Sequence, residues 1–246
     1  MATVLELQNI QKKFKDRTIL ESVNLNLQDG EFLSLLGPSG CGKSTLLRLM
    51  AGLENPTSGT LSWHTAEKKT AFVFQEAQLL SWRTVLENVR LPLEIQAKLS
   101  QKEQDEKSHF ALQKVNLTSF ESFFPHELSG GMKMRVSIAR ALSASPKILF
   151  MDEPFSALDE ITRFGMQKQL RTLCEQDKLS VVFVTHSSYE AAFLADRVLL
   201  MSAQGGQFLL NEKIIYSQPR EDSLRLSPDY HSHIAKISAK MSESFL

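Results

Sequence analysis

Residues Gly37-Pro38-Ser39-Gly40-Cys41-Gly42-Lys43-Ser44-Thr45 have the types and order needed to hold a polyphosphate. The glycines at 37, 40 and 42 permit backbone angles and close approaches that a side chain would block. Successive N–H groups can then converge on phosphate oxygens, reinforced by the N-terminus of a following helix. Lys43 supplies a point charge to the β- and γ-phosphates, and the Ser44 hydroxyl is placed to ligate Mg²⁺. The alternative is a Gly-rich turn that only matches the pattern. The context argues against it: 31–36 reads as a short buried strand, and Leu46, Leu47, Leu49 and Met50 read as a helix with Gly52 as its stop.

A second element completes the metal chemistry. Residues 148–151 form a four-residue apolar run, the pattern of a central parallel strand covered on both faces. Asp152 at its carboxyl end would hold Mg²⁺ through water. Glu153 follows, where the backbone turns its side chain toward the γ-phosphate. An acidic strand end facing solvent is the bland reading, but Pro154 and then Ser156-Ala157-Leu158-Asp159 follow. Between the two elements lies Leu128-Ser129-Gly130-Gly131-Met132. With all three in this order, the chain resembles the ATP-binding subunit of an ABC transporter.

The resemblance implies roles for further residues. Glu153 matches the glutamate that polarises the attacking water, and Asp159 closes a D-loop. Gln75, after the apolar run 71–74, matches the glutamine that reaches Mg²⁺ and the water. His186, after 181–185, matches the switch histidine that contacts the γ-phosphate. Its place at a strand's carboxyl end suits this, since ligands of open α/β sheets bind there. Phe14 matches the aromatic that stacks on adenine; its alternative is an ordinary core phenylalanine. Ser129, Gly130 and Gly131 would bind the γ-phosphate of ATP held by a second copy, giving a head-to-tail dimer with two ATP molecules sandwiched between subunits.

The implied fold is α/β: a P-loop NTPase core with an antiparallel β subdomain and an α-helical insertion. The likeness runs from about residue 4 to 216, with the insertion at about 76–145. ATP and Mg²⁺ are the implied cofactors, and the implied partners are a separate permease and, indirectly, a solute-binding protein. The implied location is the cytoplasmic face of the inner membrane, as a peripheral subunit. Within the superfamily, residues 72–89, Pro125-His126-Glu127, Met132, Phe155, 183–186, 190–191 and 193–198 resemble the importer group serving nitrate, sulfonate, taurine and related solutes. Three features depart from the pattern: Ser187 stands where an acidic residue is usual, Met134 where glutamine is usual, and the stretch after Gln218 matches poorly.

Composition is compatible. The chain has 246 residues, 42% of them hydrophobic, enough for a substantial core. With 28 basic and 28 acidic residues it offers no field to draw nucleic acid or lipid headgroups. Cys41 and Cys174 are far apart, thiol usage rather than a disulfide framework. No run of about 18 apolar residues and no signal-peptide pattern occurs, so a pore would belong to another chain. A soluble ABC ATPase acting on DNA ends or ribosomes is the competing class. Only residues 46–128 separate the phosphate loop from the Ser-Gly-Gly segment, without sustained heptads, and the chain has one cassette. A P-loop metabolite kinase would give Ser129–Gly131 and Gln75 no task.

The elements that must position these groups follow from periodicity. Val4, Leu7 and Ile10, and the alternation Val23, Leu25, Leu27, predict antiparallel strands, with Gly30 in the turn that follows; 61–63 predicts another. Residues 84–91 read as a helix stopped near Pro92. Residues 102–115 read as a charged helix with Phe110, Leu112 and Val115 on its apolar face. Ser129 reads as the N-cap of a helix running through Leu142. Leu79, Leu80 and Trp82 beside Arg83 form an apolar cluster: either core packing or a groove for a short cytoplasmic helix of the permease. The Cys41 side chain is expected in the phosphate cradle. Residues 217–246 read as a C-terminal tail; its serine-rich stretch from Arg220, with His231 and His233, is expected to be solvated.

Overall fold

The computed structural model describes residues 2–65, 68–96, 98–203 and 206–243. Its spine is a six-stranded sheet in the order β5 (Thr70–Val73), β6 (Ile148–Asp152), β7 (Ser180–Val184), β3 (Phe32–Leu36), β8 (Arg197–Met201), β9 (Phe208–Lys213). The first five are parallel, and β9 closes the edge antiparallel to β8. Strands β3, β6 and β7 are buried at every position, as unbroken apolar runs in a doubly covered sheet require.

Alternate residues of those strands feed two cores. Leu33, Leu35, Ile148, Phe150, Val182 and Val184 face α1 (Lys43–Met50) and the antiparallel subdomain. That subdomain joins β1 (Thr3–Phe14), β2 (Arg17–Gln28) and β4 (Ser58–Trp63), with Leu5 opposite Leu27 and Leu7 opposite Leu25. On the other face, Phe32, Leu149, Met151, Val181 and Phe183 meet the remaining helices. Each fully buried side chain of this kind contributes about 1.5–3 kcal/mol relative to exposure.

The helical insertion comprises α2 (Val85–Gln96), α3 (Gln101–Lys114) and α4 (Gly130–Ser143), packed on one another. Two expectations fail here. The first helix does not stop near Pro92 but continues to Gln96. An interior proline costs about 3 kcal/mol, yet Val85, Val89 and Leu93 form one buried stripe that spans it, and burying that stripe outweighs the lost bond. In α3 the buried face is Ser108, Ala111, Leu112 and then Val115, at helical spacing. Phe110 falls off that face and is 59% exposed, with the Lys114 ammonium 4.9 Å from its ring centre.

The C-terminal stretch is not a solvated tail. Helix α7 (Pro228–Glu243) packs against α6 (Ser188–Leu194), β8 and β9. Tyr230, Ile234 and Ile237, spaced four and three apart, bury one face of it, and the Tyr230 hydroxyl donates to the Tyr189 carbonyl at 2.9 Å. Residues 244–246 of that expected tail lie outside the described residues.

Candidate functional site

The loop between β3 and α1 is shaped by contacts that exclude side chains. A Cβ on Gly37 would lie 2.8 Å from the Cys41 sulfur and 2.9 Å from the Met201 carbonyl. Gly42 caps α1 at φ 102°, and a Cβ there would lie 2.9 Å from Leu20 of β2. No side chain caps α1 and no acidic residue occupies its first turn, so its leading N–H groups and dipole face an anion without competition. Lys43 is buried, and its ammonium donates to the Gly37 and Pro38 carbonyls at 2.8 Å each. Those two bonds tether the loop and leave a third N–H direction for a phosphate oxygen. Ser39 and Gly40 are exposed at the loop's crest, and Thr45 is half-buried. The Cys41 sulfur corrects the expectation for its side chain: it is buried beneath the loop, part of the core around α1, and burial pushes its thiol pKa up.

The Ser44 hydroxyl donates to Asp152 Oδ1 at 2.9 Å, joining the start of α1 to the end of β6. Burial raises the Asp152 carboxyl pKa, opposed by the Ser44 bond and the charges of Arg48 and Lys43. A carboxylate and a hydroxyl are hard oxygen donors of the kind Mg²⁺ accepts beside substrate phosphates. Among the described residues, no cluster of three or more His, Cys, Asp or Glu could hold a metal ion. The pair therefore suits a cation that arrives with its phosphates.

Glu153 has φ 45°, a left-handed conformation that costs a non-glycine residue about 1–3 kcal/mol and turns its side chain out of the strand's alternation. Its N–H still bonds the Val184 carbonyl of β7 at 3.0 Å, which fixes the turn. Glu153 Oε2 lies 3.2 Å from His186 Nδ1, just beyond the end of β7. The Gln75 amide donates to the Ser156 hydroxyl at 3.2 Å, and that hydroxyl donates to the Glu153 carbonyl at 2.9 Å. Gln75, Ser156, Glu153 and His186 thus form one chain of contacts across β5, β6 and β7. The sequence names Ser156 only as the first residue of the Ser156–Asp159 motif and gives it no role; its hydroxyl three residues after Glu153 was the available signal. Such a carboxylate, beside an imidazole and an amide, can accept a proton from a water.

Phe14 ends β1 with 48% of its surface exposed, which excludes the core reading, and the Lys12 ammonium is 4.8 Å from its ring centre. Its hairpin is anchored to the phosphate loop, since Ile19 and Leu20 crowd Gly42. Ser129 caps α4 by accepting from the Met132 N–H at 3.3 Å; Ser129 and Gly130 are exposed and Gly131 is buried. A Cβ on Gly131 would lie 2.7 Å from Thr162 of α5 (Glu160–Asp177), so this N-terminus packs against the start of α5. Asp159 caps α5, accepting from Thr162, and that backbone bond holds its carboxyl pKa low. The Ser187 departure has a local account: its hydroxyl caps α6, accepting from the Glu190 N–H at 3.3 Å.

Two groups that sequence reasoning missed fix the segment after Gln75. The Arg140 guanidinium of α4 donates to the Ala77 and Gln78 carbonyls. Asn88 is fully buried and bonds both backbone groups of Leu80 and the carbonyls of Arg83 and Thr84. Between these pins Trp82 stands 72% exposed, while Leu79 packs partly on the core.

A family model described as "ABC transporter" matches residues 20–156. The chain is 39% identical over 246 residues to an uncharacterised ABC transporter ATP-binding protein of Methanocaldococcus jannaschii, covering 96% of this chain and 92% of that one. It is 43% identical over 221 residues to the aliphatic sulfonates import ATP-binding protein of Zymomonas mobilis, covering 88% of each. Among solved structures, a dimeric ATP-binding cassette in a post-hydrolysis state with ADP and phosphate superposes with a TM-score of 0.76 at 33% identity, over 87% of this chain and all of that one.

Proposed function

The chain belongs to the ABC transporter family of ATP-binding subunits, and from that premise we propose how its residues divide the work of an import ATPase. Its ligands are ATP and Mg²⁺, and its reaction is ATP hydrolysis. We assign residues 1–216 to the ATP-binding domain, with the helical subdomain at about 76–145. Phe14 stacks on adenine, the 37–45 loop wraps the phosphates, and Lys43 neutralises their charge. Ser44, Asp152 and Gln75 are the residues that would hold Mg²⁺, which when bound offsets charge on the β- and γ-phosphates. Glu153 accepts the water's proton, with His186 beside it at the γ-phosphate.

The observation that carries this reading is the convergence of Gln75, Ser156, Glu153 and His186 beside the Ser44–Asp152 pair. The exposed N-terminus of α4 supports a head-to-tail dimer: Ser129, Gly130, Gly131 and the nearby Asp159 serve ATP bound by the other copy. ATP then joins two subunits and hydrolysis parts them, since ATP and ADP differ in affinity for the closed state. That cycle drives a separate permease, seated on the segment around Trp82 at the cytoplasmic face of the membrane. A solute-binding protein supplies the cargo. The name of the Zymomonas mobilis relative supports a small anion of the nitrate, sulfonate and taurine class.

The test is Glu153→Gln, whose amide cannot take up the water's proton. Turnover should fall about 10²–10⁴-fold, while ATP binding persists and the variant collects as an ATP-bound dimer on a sizing column. Retention of wild-type turnover would remove Glu153 from this role.

A further inference from the structure

A cavity of about 570 Å³ lies between α5, α6 and the turn that leads into α7, away from the phosphate loop. Arg163, Phe164, Tyr189, Arg225, Leu226 and Tyr230 contribute to its walls. The Arg225 guanidinium is clamped between two rings, its carbon 4.2 Å from the Phe164 centroid and 3.7 Å from that of Phe193. One of its Nη groups donates to Gln167 at 2.8 Å, but its buried Nε has no hydrogen-bond partner, and neither has that of Arg163. Burial pulls the Arg225 pKa below its ordinary value, opposed in part by Tyr230, Asp222 and Glu190.

The acidic groups at the same walls do not cancel this. Asp222 stays 4.0 Å from Arg225 Nε, is largely solvated, and also lies 3.7 Å from Lys168. Glu190 is 3.8 Å from Arg163 Nε, burial raises its pKa, and its oxygens are already engaged by the Thr185 hydroxyl and the Gln167 amide. Glu160 lies in the exposed first turn of α5. Tyr189 and Leu226 are exposed and give the mouth an apolar rim. A concave site of this size, apolar with a few convergent polar groups, has the character of a small-molecule pocket. Planar guanidinium donors select a carboxylate or sulfonate head, and the aromatic walls select a flat body.

We propose that this cavity binds a compact organic anion with a flat apolar body, an aromatic carboxylate or sulfonate, and that its occupancy sets ATP turnover through α6. The route is short. Ser187 and Glu190 line the cavity. Ser187 caps α6, and the Glu190 carboxylate accepts from the Thr185 hydroxyl. His186 sits between Thr185 and Ser187, so a ligand that favours one setting of α6 moves its imidazole relative to Glu153. This coupling rests on the role proposed above for His186; the binding does not.

Benzenesulfonate titrated into the full-length chain by calorimetry tests the site. Saturable one-to-one binding is expected, persisting in Lys43→Ala and weakened about tenfold in Arg225→Gln, the loss expected from one charge-assisted bond. Because Arg225 is packed between rings, Tyr189→Ala at the exposed rim is the second variant, and it should also weaken binding. No saturable binding to the wild type, or affinity indifferent to both substitutions, overturns the site. Turnover should shift with benzenesulfonate in the wild type and stay flat in Arg225→Gln. Variant-sensitive binding without that shift overturns the coupling alone, and loss of Glu153→Gln's expected phenotype overturns the catalytic reading instead.

Discussion

The Arg140 guanidinium, in the last turn of the helix capped by Ser129, donates to the Gln78 carbonyl at 2.8 Å. Its other terminal nitrogen donates to the Ala77 carbonyl, also at 2.8 Å. The segment leaving Gln75 is therefore tied to the helix whose N-terminus is proposed to meet the other subunit's ATP. Movement of either end is carried to the other through a two-pronged charged contact, which is geometrically stiffer than a single bond.

Arg140→Met keeps the side chain's apolar stem and removes both bonds. It should cost about 1.5–3 kcal/mol, the usual worth of hydrogen bonds to a charged group, read as a lower melting temperature. ATP affinity should change little, while cooperativity of turnover with respect to ATP should fall. An unchanged cooperativity would mean that the tether holds the fold without relaying anything.

Asp152→Asn separates folding from metal chemistry. Burial raises the Asp152 pKa in the folded chain, so its contribution to stability is fully present below the unfolded value of about 3.9. It is lost as pH rises through the higher folded value. At neutral pH the charge thus weighs against the ligand-free fold. The asparagine retains an acceptor for Ser44, so the melting temperature without ligand should rise, by about 2–4 °C for each kcal/mol in a chain this size. Mg²⁺-dependent turnover should disappear. Lys43→Ala should instead lose nucleotide affinity itself. A drop in ligand-free melting temperature for Asp152→Asn would show the carboxylate to be a net structural partner.

Both cysteines should resist alkylation in the folded protein. Burial pushes the Cys41 thiol up and the Cys174 thiol up to about 12, which lowers the thiolate fraction that reacts. Iodoacetamide at pH 8 should label neither until guanidinium is added, and ATP should make no difference before then. Rapid, ATP-protected labelling of Cys41 would place its sulfur among the phosphates after all.

The misplacement of Cys41 shows where sequence reasoning ends. The placement of loop 37–45, Asp152, Glu153, Gln75 and His186 at or just past strand ends was legible, because chain direction fixes that neighbourhood; their roles stay proposals. The direction of one loop side chain was not legible, since the close approach of Gly37 to Cys41 and Met201 is a property of the folded backbone. Pro92 misled for a related reason: local propensity marks it as a stop, while Leu93 one residue later is buried in a helix that packs on α3 and α4. Helix α7 was hidden by serines, although Tyr230, Ile234 and Ile237 already carried helical spacing. Arg140 and Asn88 gave no signal of their own, because their bonds are to backbone groups, which almost every residue type supplies.

Asn88 bears most directly on the proposed permease contact. A cluster of large apolar residues in a loose loop would be a poor anchor, since docking would have to order it. Here four hydrogen bonds from one buried asparagine hold 80–84, and Arg83 is fixed by a 2.7 Å ion pair with Glu94. Trp82 is presented on a prepared base, the condition under which an exposed aromatic serves as an interface anchor. Trp82→Ala should leave the melting temperature and isolated ATPase activity near wild type, because the indole contributes little to the core. Copurification with the permease and coupled transport should fall by tenfold or more, as for an interface anchor worth about 2 kcal/mol. Asn88→Ala should impair the same contact indirectly, with a clear stability loss of about 1–3 kcal/mol from unsatisfied buried backbone groups. Unimpaired transport by Trp82→Ala, or unfolding of that variant, would move the docking surface elsewhere on the helical insertion.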